Sequence, residues 1–206
     1  ISPSAHLQVV RGWTPLNFPV ASSYNWSEST AENYATEDGD LAAKYADIRA
    51  SLDYSYHPRY SIQRQELQDT LVSDCIGAGA QNRDRPWVVF TAGPQGSGKH
   101  HVLNWLATKG HFPLTDIIQI DADYFRYRLP EWNGYVKRSP EAAAQLTHLE
   151  CGMLVEIALE AALRQGKNVW VDSSLRDSDW YSRVFEDLTE RHSKHQIGIF
   201  HITAPG

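Results

Sequence analysis

An apolar run that stops at a glycine loop constrains this chain more than any other feature in it. Trp87-Val88-Val89-Phe90-Thr91-Ala92 reads as a short parallel strand buried on both faces. Gly93-Pro94-Gln95-Gly96-Ser97-Gly98-Lys99 follows at once and fits the pattern G-x-x-x-x-G-K. Val102, Leu103 and Leu106 then fall at helical spacing, closed by Gly110. The glycines let the backbone curl so that successive N–H groups face phosphate oxygens, and Lys99 reaches the outer phosphates. The start of the following helix adds positive potential at the same place. By chance the heptapeptide pattern turns up roughly once in fifteen or twenty chains of about this length. The strand–loop–helix frame around it is what selects the phosphate-binding reading.

The expected ligand is a nucleoside triphosphate with Mg²⁺, cradled by Gly93, Gln95, Gly96, Ser97, Gly98, Lys99, His100 and His101. His100 stands where the motif has Ser or Thr, whose hydroxyl holds the metal. Imidazole is a poor ligand for hard Mg²⁺, which usually keeps several waters, so a water can take that place. His100 and His101 point about 100° apart on a helix and are not a natural chelating pair.

Strands and helices alternate along the rest of the chain. Ile117–Ile120, Val169–Val171 and Ile197–Ile202 read as strands, and residues 140–165 as one long helix with Pro140 in its first turn and Gly166 as its cap. Leu146, Leu149, Met153, Ile157 and Ala161 form its buried stripe. Trp180, Val184 and Leu188 mark another helix. The alternation predicts an α/β fold with a phosphate-loop-type parallel sheet flanked by helices, preceded by a helical and irregular N-terminal extension. Within that extension, 40–52 and a segment capped by Ser61 and ended by Gly77 read as helices, and residues 1–37 as an aromatic-dotted arm that wraps a partner or a folded domain. The small, polar stretch Gly77–Arg85 sets the boundary between residues 1–85 and a domain over 86–206.

A net charge of −6 speaks against a dedicated nucleic-acid binder. No apolar run approaches the roughly 20 residues of a membrane span, and a cytoplasmic location is the default expectation. Cys75 and Cys151 lack metal-type spacing and read as buried free thiols.

Ligands of parallel sheets gather at the carboxyl ends of strands. Asp121 and Asp123 follow the second strand and Asp172 ends the third. A kinase needs one carboxylate near the attacking hydroxyl and often another on the metal. Asp121 or Asp123 could instead cap the segment Tyr124–Arg128. Arg126 and Arg176 fall just after strand ends, where each could grip a phosphate or lie at the surface. Glu156 lies at the edge of the long helix's stripe.

In order, Gly93–Lys99, Ile120-Asp121-Ala122-Asp123-Tyr124-Phe125-Arg126, the helix with Glu156, and Val171-Asp172-Ser173-Ser174-Leu175-Arg176 resemble the zeta toxin family over about residues 86–205. The resemblance implies a phosphate-loop kinase that uses ATP and Mg²⁺. Its hydroxyl acceptor would be a small molecule, a nucleotide sugar such as UDP-N-acetylglucosamine. It implies Lys99 on the outer phosphates, Asp123 as the base that orients the hydroxyl, and Asp121, Arg126, Glu156 and Ser174 on the acceptor side. Asp172, as metal ligand, and Arg176, as a catalytic arginine, stand where the family has an acid and an arginine. Asp172 replaces a glutamate, and Ser173 and Leu175 replace glycines. The family's further arginines follow the strand matching Gln196–Thr203, so the kinase domain is expected to be incomplete after Gly206. Two other readings compete: a non-catalytic module that binds nucleotide or a protein partner, the latter on the N-terminal arm, and a polynucleotide 5′-hydroxyl kinase.

Overall fold

The structure, a computed structural model, describes residues 13–37, 39–77, 83–94, 96–173, 175 and 178–203. In chain order the helices are α1 (Thr30–Tyr34), α2 (Ala46–Ala50), α3 (Ile62–Ile76), α4 (Lys99–Thr108), α5 (Ala122–Arg128), α6 (Trp132–Arg138), α7 (Ala143–Leu146), α8 (His148–Arg164) and α9 (Ser178–Arg191). The strands are β1 (Trp87–Ala92), β2 (Ile118–Ile120), β3 (Val169–Val171) and β4 (Gln196–His201). The chain forms two compact units, one from Ile1–Val72 and Ala122–Ile157, the other from Ser73–Asp121 and Ala158–Gly206.

The second unit holds the sheet. Its four strands are all parallel in the order β2-β3-β1-β4. Val89 of β1 and Trp170 of β3 pack with Leu103 of α4, Phe112 and Ile117 on one face. Phe90, on the opposite face of β1, meets Phe185 of α9 edge-on, with ring centroids 5.0 Å apart. Coverage on both faces explains why β3 and, apart from Thr91, β1 are apolar runs. The expected strands are all present, with ends shifted by no more than one residue.

The first unit packs around aromatic rings. Tyr24, Tyr127, Trp132 and Tyr135 are buried together, with Trp13, Trp26 and Tyr34 against them. Residues 13–37, expected as an arm, thus supply part of this unit's own core. The Tyr24 and Tyr135 hydroxyls share a 2.5 Å hydrogen bond. Burial holds the Tyr135 phenol up at about 12, against the Tyr24 hydrogen bond, which lowers it. A Cβ on Gly134 would come within 2.1 Å of the Trp26 ring, so only glycine fits there. Ser29 caps α1 through a capping box, with Glu32 accepting from the Ser29 amide at 2.7 Å.

Two expected helices differ from the structure. The helix over 140–165 is two helices that meet at Thr147. The Thr147 hydroxyl donates to the carbonyls of Ala143 (3.1 Å) and Ala144 (3.2 Å), competing with the backbone ladder. The segment 40–52 is a 3₁₀ turn at Ala43–Tyr45 followed by α2, because Tyr45 leaves the helical region at φ −126°, ψ 29°. The Ser51 hydroxyl then takes the Ile48 carbonyl at 2.8 Å and closes α2. Both cysteines are buried free thiols, and burial pushes Cys151 up to about 12.

Candidate active site

The glycine loop lies at the carboxyl end of β1 and delivers the chain into α4. Gly96 and Gly98 both take φ +82°, in the left-handed region that favours glycine. Gly93 has φ +145°, and a Cβ there would lie 2.3 Å from the Ile202 carbonyl oxygen. Three glycines therefore let the loop turn back over the strand end and start α4 at Lys99. The Lys99 ammonium folds across the loop and donates to the carbonyls of Gly93 (3.0 Å) and Pro94 (3.2 Å). The Ser97 hydroxyl is buried in the loop with no hydrogen-bond partner among the described residues. An inward hydroxyl and a lysine spanning the loop are the donors a phosphate requires. Gln95 lies outside the described residues, and His101 is exposed on the first turn of α4.

Beside the loop, the ends of β2 and β3 bring two carboxylates together. Ile120 pairs with Val171, so Asp121 and Asp172 leave the sheet side by side, and the Asp172 amide donates to the Ile120 carbonyl at 3.0 Å. His100 Nδ1 lies 3.3 Å from the Asp172 carboxylate. Thr91 Oγ donates to the other Asp172 oxygen at 2.9 Å, and the Gln119 amide donates to His100 Nε2 at 2.7 Å. The His100 ring rests against Trp170, with centroids 5.1 Å apart. One nitrogen of His100 and one oxygen each of Asp121 and Asp172 lie within 4.8 Å of one another, a donor set that can hold a divalent cation. The two carboxylates suit Mg²⁺; the imidazole suits a softer ion. Sequence reasoning singled out all three residues, Asp172 for the metal, Asp121 for the acceptor side and His100 for the phosphate cradle, but neither Thr91 nor Gln119. Both are strand residues whose side chains are polar within apolar runs, and that was the only available signal.

Asp123, Arg126 and Glu156 lie in the first unit. Asp123 is in the first turn of α5, where Arg126 pairs with its carboxylate one turn on. Arg126 also donates from Nε to Thr147 Oγ at 3.1 Å. Glu156 on α8 accepts a 3.0 Å hydrogen bond from Nε2 of His57, a residue only 2% exposed. His57 escaped the sequence reading, because nothing in the loop 53–59 points to a partner 99 residues away. Ser174 and Arg176 lie outside the described residues.

A cavity of the second unit lies elsewhere. About 520 Å³ in volume, it is lined by Pro86, Gly166 and His195, just ahead of β1, β3 and β4, at the opposite edge of the sheet from the loop. The Arg83, Arg164 and Arg191 side chains there are already paired with Asp116, Glu160 and Asp187.

The model of the zeta toxin family matches residues 55–205. A solved structure of the PezAT chromosomal toxin–antitoxin system of Streptococcus pneumoniae is 17% identical, with TM-score 0.58 over 69% of this chain and 58% of that one. Structures of the AvrRxo1-ORF1:AvrRxo1-ORF2 complex, native and with ATP, are 15% identical, with TM-scores of 0.52 and 0.51 over 86% of this chain and 56% of theirs. The chain spans a little over half the length of these proteins. At such identities the likeness is one of fold: a parallel sheet with flanking helices. No curated protein sequence matches. Among the described residues, no helix is long and apolar enough to cross a membrane.

Proposed function

Because the chain belongs to the zeta toxin family, we propose that it is an ATP-dependent phosphotransferase acting on the hydroxyl of a small molecule, a nucleotide sugar such as UDP-N-acetylglucosamine. The observation that carries this reading is the glycine loop with Lys99 spanning it, next to Asp121 and Asp172 at neighbouring strand ends.

The loop amides and the first turn of α4 bind the outer phosphates of ATP. Lys99 exchanges its carbonyl partners for phosphate oxygens, a stronger, charge-assisted contact. Asp172 and Asp121 would hold the divalent ion, which would offset phosphate charge when bound. Asp123 leaves Arg126 to accept the acceptor's hydroxyl proton, while the hydroxyl oxygen forms a bond to the γ-phosphorus and the bond to ADP breaks. Glu156, held by His57, and Arg126, freed from Asp123, orient the acceptor, with Ser174 on the same side. Arg176 carries charge relief at the transferring group. The chemistry is cytoplasmic in this reading, since ATP is its donor.

Incubation with γ-labelled ATP and UDP-N-acetylglucosamine tests the proposal. Label on the sugar nucleotide supports it; ATP binding without transfer to any small-molecule hydroxyl contradicts it. A second reading has a specific basis: the similar structures include a toxin–antitoxin system and a two-protein complex. By analogy a protein partner docks on this chain and controls its activity.

A further inference from the structure

We infer that the cation beside the phosphate loop is a borderline transition-metal ion with an imidazole nitrogen among its ligands, not Mg²⁺ held through oxygen and water alone. The inference rests on the phosphate-loop reading for where the metal sits. This chain's own donor set decides which metal it is.

His100, Asp121 and Asp172 place one nitrogen and two oxygens within 4.8 Å of one another. Two further observations point to a cation. His100 directly follows the loop lysine, at the position whose side chain is the metal ligand of this motif. Its ring is also held from outside: Gln119 meets Nε2 at 2.7 Å, while Nδ1 faces Asp172 at 3.3 Å. A hydrogen bond on the far nitrogen is how ligating imidazoles are oriented. Thr91 does the same for Asp172, leaving the carboxylate's other oxygen turned toward His100.

As the structure stands, the Gln119 N–H donates to Nε2, so the ring proton is on Nδ1 and points at Asp172. A cation at Nδ1 moves that proton to Nε2, and a half-turn of the Gln119 amide supplies its oxygen as acceptor. Mg²⁺ gives up water reluctantly and gains little from imidazole, whereas Co²⁺ and Zn²⁺ bind imidazole well. The two carboxylates serve either kind of ion. His100 therefore tips the selectivity.

Co²⁺ is the probe, because its visible spectrum reports nitrogen ligation. The chain is titrated with CoCl₂ and with MgCl₂ in the absence of nucleotide, as wild type, His100→Ser and Gln119→Leu. The expected result is one Co²⁺ per chain, bound about tenfold or more tighter than Mg²⁺. His100→Ser should lose about tenfold in Co²⁺ affinity and its visible band, with Mg²⁺ affinity unchanged or better. Gln119→Leu should lose roughly 10-fold through the outer hydrogen bond. Absence of Co²⁺ binding, equal affinity for the two ions, or unaltered Co²⁺ affinity in His100→Ser overturns the inference; the last would make His100 a hydrogen-bond support for Asp172. ATP binding measured in excess chelator is the separate control. Its failure sinks the nucleotide reading, whatever the metal result.

Discussion

One charge cluster of the first unit and one of the second follow opposite rules. In the first, Arg64 is gripped by two carboxylates: Glu150 at 2.7 and 2.9 Å, and Glu131 at 3.0 and 3.1 Å. Gln68 donates to Glu150 at 2.8 Å, the Tyr34 hydroxyl donates to Glu131 at 2.6 Å, and the Tyr34 ring lies 4.0 Å from the guanidinium. Arg64, Glu131 and Glu150 are all essentially without exposure. Burial pushes the Glu150 carboxyl up, but Arg64 outweighs it and holds the group below the usual range. In the second unit the His100 and Asp172 side chains keep 31% and 13% of their surface open. A buried and saturated cluster builds a fold; a half-open one leaves room for a ligand. Composition does not separate them, since both are made of acids and one basic partner.

The sharpest way to break that contrast is Arg64→Ala. It strands two buried carboxylates and should cost about 3–5 kcal/mol of stability, read from urea unfolding. A loss under about 1 kcal/mol would mean that the first cluster is no more structural than the second.

Glu160 tests the intermediate case in the second unit. Burial disfavours its charge, but His192 at 2.9 Å and Arg164 at 2.6 Å outweigh that and hold it at about 2. Its folded value lies below the ordinary 4.5, so its stabilisation is complete above pH 4.5 and lost as pH falls toward 2. Arg164 and Arg191 are 39% and 48% exposed, so solvent screening cuts the gain to on the order of 1–2 kcal/mol. Glu160→Gln should be less stable than wild type at pH 7, with the two curves converging near pH 2. Parallel curves across that range would remove Glu160 from the account.

The smallest effect is at Leu175, which sits at φ +49° in the left-handed region that favours glycine. The chain keeps the left-handed backbone without the residue that favours it. Leu175→Gly should therefore raise stability by roughly 1 kcal/mol, read as a shift in melting temperature. A loss would mean that the leucine side chain outweighs the strain.

Local chemistry was legible in the sequence and distant pairing was not. The loop could be read because glycines at Gly93, Gly96 and Gly98 and an apolar run before them leave few alternatives. Asp121 and Asp172 could be read because strand ends are where parallel sheets place ligands. Arg64 and Glu150 lie 86 residues apart, and His57 and Glu156 lie 99 apart, so no spacing rule reaches them. Thr147 was illegible for a different reason. Its break in the helix depends on where its hydroxyl turns, and threonine is common inside helices that do not break. The aromatic residues of 13–37 lack periodicity because they pack ring against ring, not along one face of a helix.

The central claim of the proposed function is a division of labour: the glycine loop binds nucleotide, and Asp123 carries the transfer. ATP affinity and phosphate transfer measured side by side in Lys99→Met and Asp123→Ala test it most directly. Lys99→Met should weaken ATP binding roughly 10- to 100-fold, the worth of hydrogen bonds to a charged group. Asp123→Ala should keep ATP affinity within about twofold and lose roughly 10²–10⁴ in turnover. ATP affinity unchanged in Lys99→Met, or turnover unchanged in Asp123→Ala, would contradict it.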